Sequence, residues 1–133
     1  MNIGIHINFN GLCEEALIFY SDALGGSIES MTRYEDTAVS SEVPEDFRKK
    51  IVHGVVRCNG LEIAGADVPK GYEAPAGIQI LVQVSSVSEA EKTFAALSES
   101  GSVGFEPQAT FWSPYYAMFK DKYGVQWEVN AAA

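Results

Sequence analysis

The chain has 133 residues, 47% of them apolar, and carries 9 basic against 18 acidic side chains, a net charge of 9 − 18 = −9. That length suits one domain, 1–133, with a real hydrophobic core. The acidic balance argues against nucleic acid and anionic membrane as partners, because both select a positive footprint.

Asn2 to Asn10 reads as a strand, with Ile3, Ile5, Ile7 and Phe9 alternating with Gly4, His6, Asn8 and Asn10. Gly11 breaks it, and Leu12 to Leu24 follows as a helix with Glu14 and Glu15 in its first turn and Gly25-Gly26 at its end. Ser27 to Tyr34 is a strand. Glu35 to Lys49 is a polar loop containing Pro44, with one helical turn at Glu45 to Lys50. Ile51 to Cys58 and Leu61 to Asp67 form a hairpin about Asn59-Gly60. Val68 to Ala76, with two prolines and one glycine, is a linker. Gly77 to Val84 is again a strand, Ser86-Val87-Ser88-Glu89 a capping box, and the helix behind it runs to about Ser100, stopped by Gly101. Ser102 to Pro107 is a strand, and Tyr115 to Phe119 and Val125 to Asn130 form a hairpin about Asp121-Lys122-Tyr123-Gly124.

The chain therefore holds two copies of strand–helix–strand–strand–strand, module one at about 3–67 and module two at about 77–130, joined by 68–76. Pairing two such α+β modules forms a half-barrel around a shared cavity. In the last strand Val125, Trp127 and Val129 share one face, which leaves Gln126, Glu128 and Asn130 on the other. A carboxylate between two amides suits the wall of a polar cavity. No apolar run approaches a membrane span, and the segment MNIGIHINFNG has no basic region followed by an apolar core, so the cytoplasm is the expected location. Cys13 and Cys58, without a CxxC, are expected to be reduced and buried.

The segments INFNGLCEEALIFYSDALGG, IVHGVVRCNG, Asp67-Val68-Pro69, GIQILVQV and TFWSPYYAMFKDKYGVQWEVN span nearly the whole chain. On them the chain resembles the vicinal oxygen chelate superfamily of glyoxalase I, extradiol dioxygenases and bleomycin-resistance proteins. Within it the chain is similar to the PhnB-like branch, sometimes labelled demethylubiquinone methyltransferase-like. The resemblance implies a glyoxalase-like fold, commonly a homodimer, and a small-molecule ligand. Metal-using members place one ligand on the first strand of each module and a Glu on the last. Carried over, those positions hold His6, Gln79 and Glu128, while Ala64 stands where the fourth would be and Glu62 lies two residues earlier.

One imidazole, one amide and one carboxylate suit Zn²⁺, Mn²⁺, Ni²⁺ or Fe²⁺ with open positions, where Glu128 or Glu62 would act as base. Equally, each of the three lines a polar cavity without a metal. His53 faces a ligand or makes a structural hydrogen bond. Arg57 pairs with a substrate carboxylate or with Glu62 across the hairpin. Trp112, Tyr115 and Tyr116 wall a flat ligand or close the core and a dimer interface. Gly4, Gly11 and Gly25-Gly26 do not make a nucleotide-binding turn, so the methyltransferase label finds no support in the residues. Two function classes remain: a divalent-metal lyase, isomerase or dioxygenase-like enzyme acting on a small oxygen-rich molecule, and a metal-free binding or resistance protein that sequesters its ligand.

Overall fold

The structure, a computed structural model, describes residues 1–133, which group into two compact units, Met1–Ala74 and Pro75–Ala133. In the first, β1 (Gly4–Phe9), α1 (Cys13–Leu24), β2 (Ser27–Arg33), β3 (Ile51–Cys58) and β4 (Leu61–Asp67) build a four-stranded sheet of order β1-β4-β3-β2. In the second, β5 (Ile80–Val84), α2 (Val87–Ser98), β6 (Ser102–Gln108), β7 (Tyr116–Lys120) and β8 (Gln126–Ala131) repeat that order as β5-β8-β7-β6. The first strand runs parallel to the last in each sheet, and the remaining pairs are antiparallel. The two-module reading of the α+β chain thus stands, down to identical strand order.

Period-two alternation decides which face of each sheet the helix covers. In the first unit Ile7, Phe9, Val56 and Ile63 are buried against Cys13, Ala16, Leu17 and Tyr20 of α1. Gly54 and Gly65 lie on that face because the helix needs the room: a Cβ at Gly54 would press on Leu17, and one at Gly65 on Phe9 and Cys13. In the second unit Ile80, Ala117, Phe119, Trp127 and Val129 bury against Ala90 and Leu97, with Phe94 edge-on to Phe119 at 5.3 Å. The opposite face of each sheet is free of its own helix.

Two aspartates tie the elements together. No side chain at Leu12 caps α1. Instead Asp67, at the far end of β4, accepts the Gly11 and Cys13 N–H groups through Oδ1 (both 2.9 Å) and the Ile51 N–H through Oδ2 (3.0 Å). The Tyr34 hydroxyl donates to the Asp67 carbonyl at 2.7 Å. Asp121 organises the turn before β8: Oδ1 accepts from Tyr123 N–H (2.8 Å) and Val125 N–H (3.0 Å), and Oδ2 from the Trp127 indole (2.9 Å). Both carboxylates are buried.

Several expected boundaries shift. The segment 35–49 holds three short 3₁₀ turns, at Tyr34–Asp36, Ser40–Glu42 and Glu45–Phe47, in place of one helical turn. The strand expected from Gly77 begins only at Ile80, which leaves Ile78 72% exposed. Ser86 Oγ accepts the Glu89 N–H at 3.1 Å, but the Glu89 carboxylate takes the Ser85 hydroxyl at 2.9 Å, so only half the capping box forms. The left-handed residue ending α2 is Ser100 (φ 60), not Gly101, whose missing Cβ lets the Lys120 carbonyl approach. The Asn59-Gly60 turn forms as read, with φ of 48 and 86.

Candidate functional site

On the helix-free face of the first sheet, β1 presents His6 and Asn8, both exposed. The register sets Ala64 of β4 beside His6, and Val55 of β3 beside Ala64. His6 Nε2 lies 3.1 Å from Asn8 Oδ1, and the His53 ring stacks against His6 with centroids 6.2 Å apart at 28°. Arg57 lies on the same face and pairs with two carboxylates, Glu29 at 2.7 Å and Glu62 at 3.1 Å. This pairing lowers the Glu29 carboxyl below its ordinary range, chiefly through the hydrogen bond from Arg57. Glu62 is therefore held by a guanidinium. The members of this cluster are solvent-exposed, so these pairs orient the side chains and add little to stability.

The helix-free face of the second sheet reads as three cross-strand rows. Lys120 of β7 lies between Gln126 and Ser102. Glu128 of β8 lies between Leu81 and Met118, with Phe105 beyond. Asn130 lies between Gln83 and Tyr116, with Gln108 beyond. Glu128 is half-buried, and its Oε1 accepts the Tyr116 hydroxyl at 2.6 Å, a short charge-assisted bond. Burial, then that bond and the Glu128 charge, push the Tyr116 hydroxyl up to about 12. Tyr116 is thus a fixed donor and no base at neutral pH.

Around Tyr116 the aromatic rings continue. Phe105 stands edge-on to it at 5.5 Å, Trp112 at 5.1 Å, and Phe111 against Trp112 at 4.7 Å. Trp112 is 46% exposed and Phe111 97%, so two of these rings offer their surface to solvent. Tyr115 belongs elsewhere, edge-on to Phe94 of α2 at 6.5 Å. Asn130 adds the other unusual feature: its Oδ1 is buried with no hydrogen-bond partner. An orphaned buried acceptor costs about 1–3 kcal/mol, and a donor supplied by a ligand relieves that cost. Sequence reading placed Asn130 on this face. It carried no signal that the amide would go unmet.

A divalent ion is tested by the donors around these side chains. Beside Glu128 stand Leu81 and Met118, and beside His6 stands Ala64, none of them a ligand for Zn²⁺, Mn²⁺, Ni²⁺ or Fe²⁺. Gln79 precedes β5, one two-residue step from Leu81, and its amide is turned to Met118 Sδ at 3.8 Å. No group of three or more His, Cys, Asp or Glu side chains comes together that could hold a metal ion. The residues in register with His6 and with Glu128 thus supply no metal donor of their own. Neither thiol offers an alternative, since both cysteines are free and buried, and burial, then the charges of Asp67 and Glu14, raise Cys13 to about 12.

Known proteins resemble this chain in sequence and fold. Protein YjdN of Escherichia coli strain K12 is 27% identical over 139 residues, covering 98% of this chain and 95% of that protein. The crystal structure of protein PA1353 from Pseudomonas aeruginosa superposes with a TM-score of 0.90 at 35% identity, covering 99% of this chain and 98% of that one. The fold alone is shared with a putative 3-demethylubiquinone-9 3-methyltransferase, PhnB protein, from Bacillus cereus, at TM-score 0.84 and 24% identity over 99% and 100% of the two chains. No helix is long and apolar enough to cross a membrane. The family model of the Glyoxalase/Bleomycin resistance protein/Dioxygenase superfamily matches residues 6–129, and the chain belongs to that superfamily.

Proposed function

We propose that this chain is a metal-free, small-molecule-binding member of its superfamily, and that its ligand lies on the helix-free face of the second sheet. The observation that carries the reading is the setting of Glu128, flanked by Leu81 and Met118 and bonded to the Tyr116 hydroxyl. A carboxylate so placed serves as a hydrogen-bond acceptor, oriented by Tyr116. Asn130 Oδ1 supplies a second acceptor two residues away. Trp112, Tyr116 and Phe105 form an aromatic shelf beside them. Such a face suits a flat molecule bearing N–H or O–H donors, with the rings giving contact area and the two acceptors fixing orientation.

In this reading His6 and His53 are polar residues of the first sheet, Arg57 is held by Glu29 and Glu62, and Gln79 belongs to a neighbouring cleft on the second sheet. A cytoplasmic setting and homodimer formation go with the proposal. The buried free thiols suit a reducing compartment, and sedimentation velocity reads the dimer.

Elemental analysis of purified, tag-free protein tests the reading, together with calorimetric titration of Zn²⁺, Mn²⁺, Ni²⁺ and Fe²⁺ into wild type and E128Q. We expect far less than one metal per chain and no saturable binding. Stoichiometric uptake that E128Q abolishes would overturn the proposal and restore a metal-dependent lyase, isomerase or dioxygenase.

A further inference from the structure

The lowest of the three rows on the second sheet has a chemistry opposite to that of Glu128 and Asn130. A cleft of about 170 Å³ opens there, lined by Gln79, Gln126, Lys120 and Ser102 together with Met118 and Val103. Its polar lining side chains are an ammonium, two amides and one hydroxyl, and no carboxylate borders it. Lys120 has no ion pair, although the chain carries twice as many acidic as basic residues. The one charged side chain lining the cleft is therefore a cation, in a chain whose net charge is −9.

The strands explain the opening. The ladder between β6 and β7 slips by one residue between Val103 and Phe105, so a bulge at Gly104 sets backbone, with no side chain, into the wall. Lys120 ends β7 and stands in register with both Gln126 and Ser102, and all three line the cleft. Gln79 reaches the same cleft from the other side and rests its amide on Met118 Sδ. The nearest acid along β8, Glu128, is bonded to Tyr116, which lies on β7 in the direction away from Lys120. The volume is below the roughly 300–1,000 Å³ of sites for drug-sized ligands, so the fit is to one small group.

We infer that this cleft is a binding subsite for the carboxylate of a small organic acid. Lys120 supplies the charge, the Gln126 and Gln79 amides and the Ser102 hydroxyl supply neutral donors, and Met118 and Val103 cover the adjoining carbon atoms. Lys120, Gln126 and Ser102 belong to a different row of the sheet from Glu128, and only Met118 is shared with the Glu128 row.

Titration with benzoate, followed by ¹H–¹⁵N spectra of the amides and ¹H–¹³C spectra of the methionine methyl groups, tests it against benzyl alcohol as the neutral counterpart. We expect saturable shifts centred on Gly104, Lys120, Gln126 and the Met118 methyl. In K120Q, whose exposed substitution leaves the fold intact, affinity falls about fivefold, the value of one exposed ion pair at its upper range, while E128Q still binds. Equal shifts with benzyl alcohol, or benzoate binding unchanged in K120Q, would show an apolar cleft only and overturn the inference. Absence of any saturable shift in wild type overturns it as well. Loss of benzoate binding in E128Q with K120Q unaffected would place the carboxylate elsewhere on the face and also overturn it. Metal uptake at Glu128 would leave this result untouched, so the two proposals fail separately.

Discussion

Asp67 and Asp121 read in the sequence as a strand-ending residue and a turn residue, because Asp commonly occupies such positions. Their weight in the structure comes from groups far along the chain or buried beneath the turn, which no local pattern encodes. Asp121 satisfies two backbone N–H groups and the Trp127 indole. In D121A these three donors lose their acceptor in a buried place, at about 1–3 kcal/mol apiece before any water enters. We expect a net loss of about 3 kcal/mol and, for a chain of this length, a fall in melting temperature of roughly 10 °C. D121N, which keeps Oδ1, should lose about half as much. Thermal unfolding followed by circular dichroism decides this; a shift within about 2 °C in D121A would mean that the hub is not structural. Glu128 was legible for the opposite reason. It stands in a run of strict alternation, where each residue's face follows from its neighbour's.

Strands and turns were legible where a local rule fixes them. The Asn59-Gly60 hairpin needs positive φ at both central residues, and those two residue types supply it. Residues 77–79 alternate as well as those after them, yet β5 begins only at Ile80, because pairing with β8 begins at Ile80 and Trp127. A strand exists only where a partner meets it, and partner length is not written in the strand's own sequence. The same gap hid the setting of Glu128, since the identity of Leu81 as its neighbour follows from register. The end of α2 is a third case. Ser100 takes the left-handed conformation, which costs a non-glycine residue roughly 1–2 kcal/mol, whereas Gly101 is needed for close approach to Lys120. S100G should therefore raise stability by about 0.5 kcal/mol once the extra freedom of the unfolded glycine is subtracted. G101A should lower it by about 2 kcal/mol, because backbone must move. Urea denaturation of the two variants separates these roles; reversed signs would return the helix stop to Gly101.

Across the molecule, several groups that ionise by losing a proton are held neutral by burial. Cys13 and Tyr116 rise to about 12, and Cys58, Tyr34 and Tyr115 are raised as well, in each case chiefly by burial. For each the folded value lies above the unfolded one, so its contribution is complete below the unfolded value and is lost as pH rises towards the folded one. Stability should stay level from neutral pH to the ordinary thiol value of 9.0, then fall steadily to about 12. Urea midpoints measured from pH 7 to 11 check this, and a midpoint flat to pH 11 would contradict it. The repeated sheet order was legible at this scale because both modules carry the same succession of periods. The neighbours of the expected ligands were not, because only the register shows that Ala64 and Leu81 stand beside His6 and Glu128.

The two tryptophans differ in a way that makes the molecule its own optical probe. Trp127 is fully enclosed, with its indole nitrogen held by Asp121, whereas Trp112 stands 46% exposed on the aromatic shelf. Acrylamide or iodide will quench Trp112 and spare Trp127 while the chain is folded. A flat ligand on the shelf would shield Trp112 from the quencher, while unfolding would open Trp127 to it. One emission spectrum, taken with and without quencher, thus separates occupancy of the face from integrity of the core.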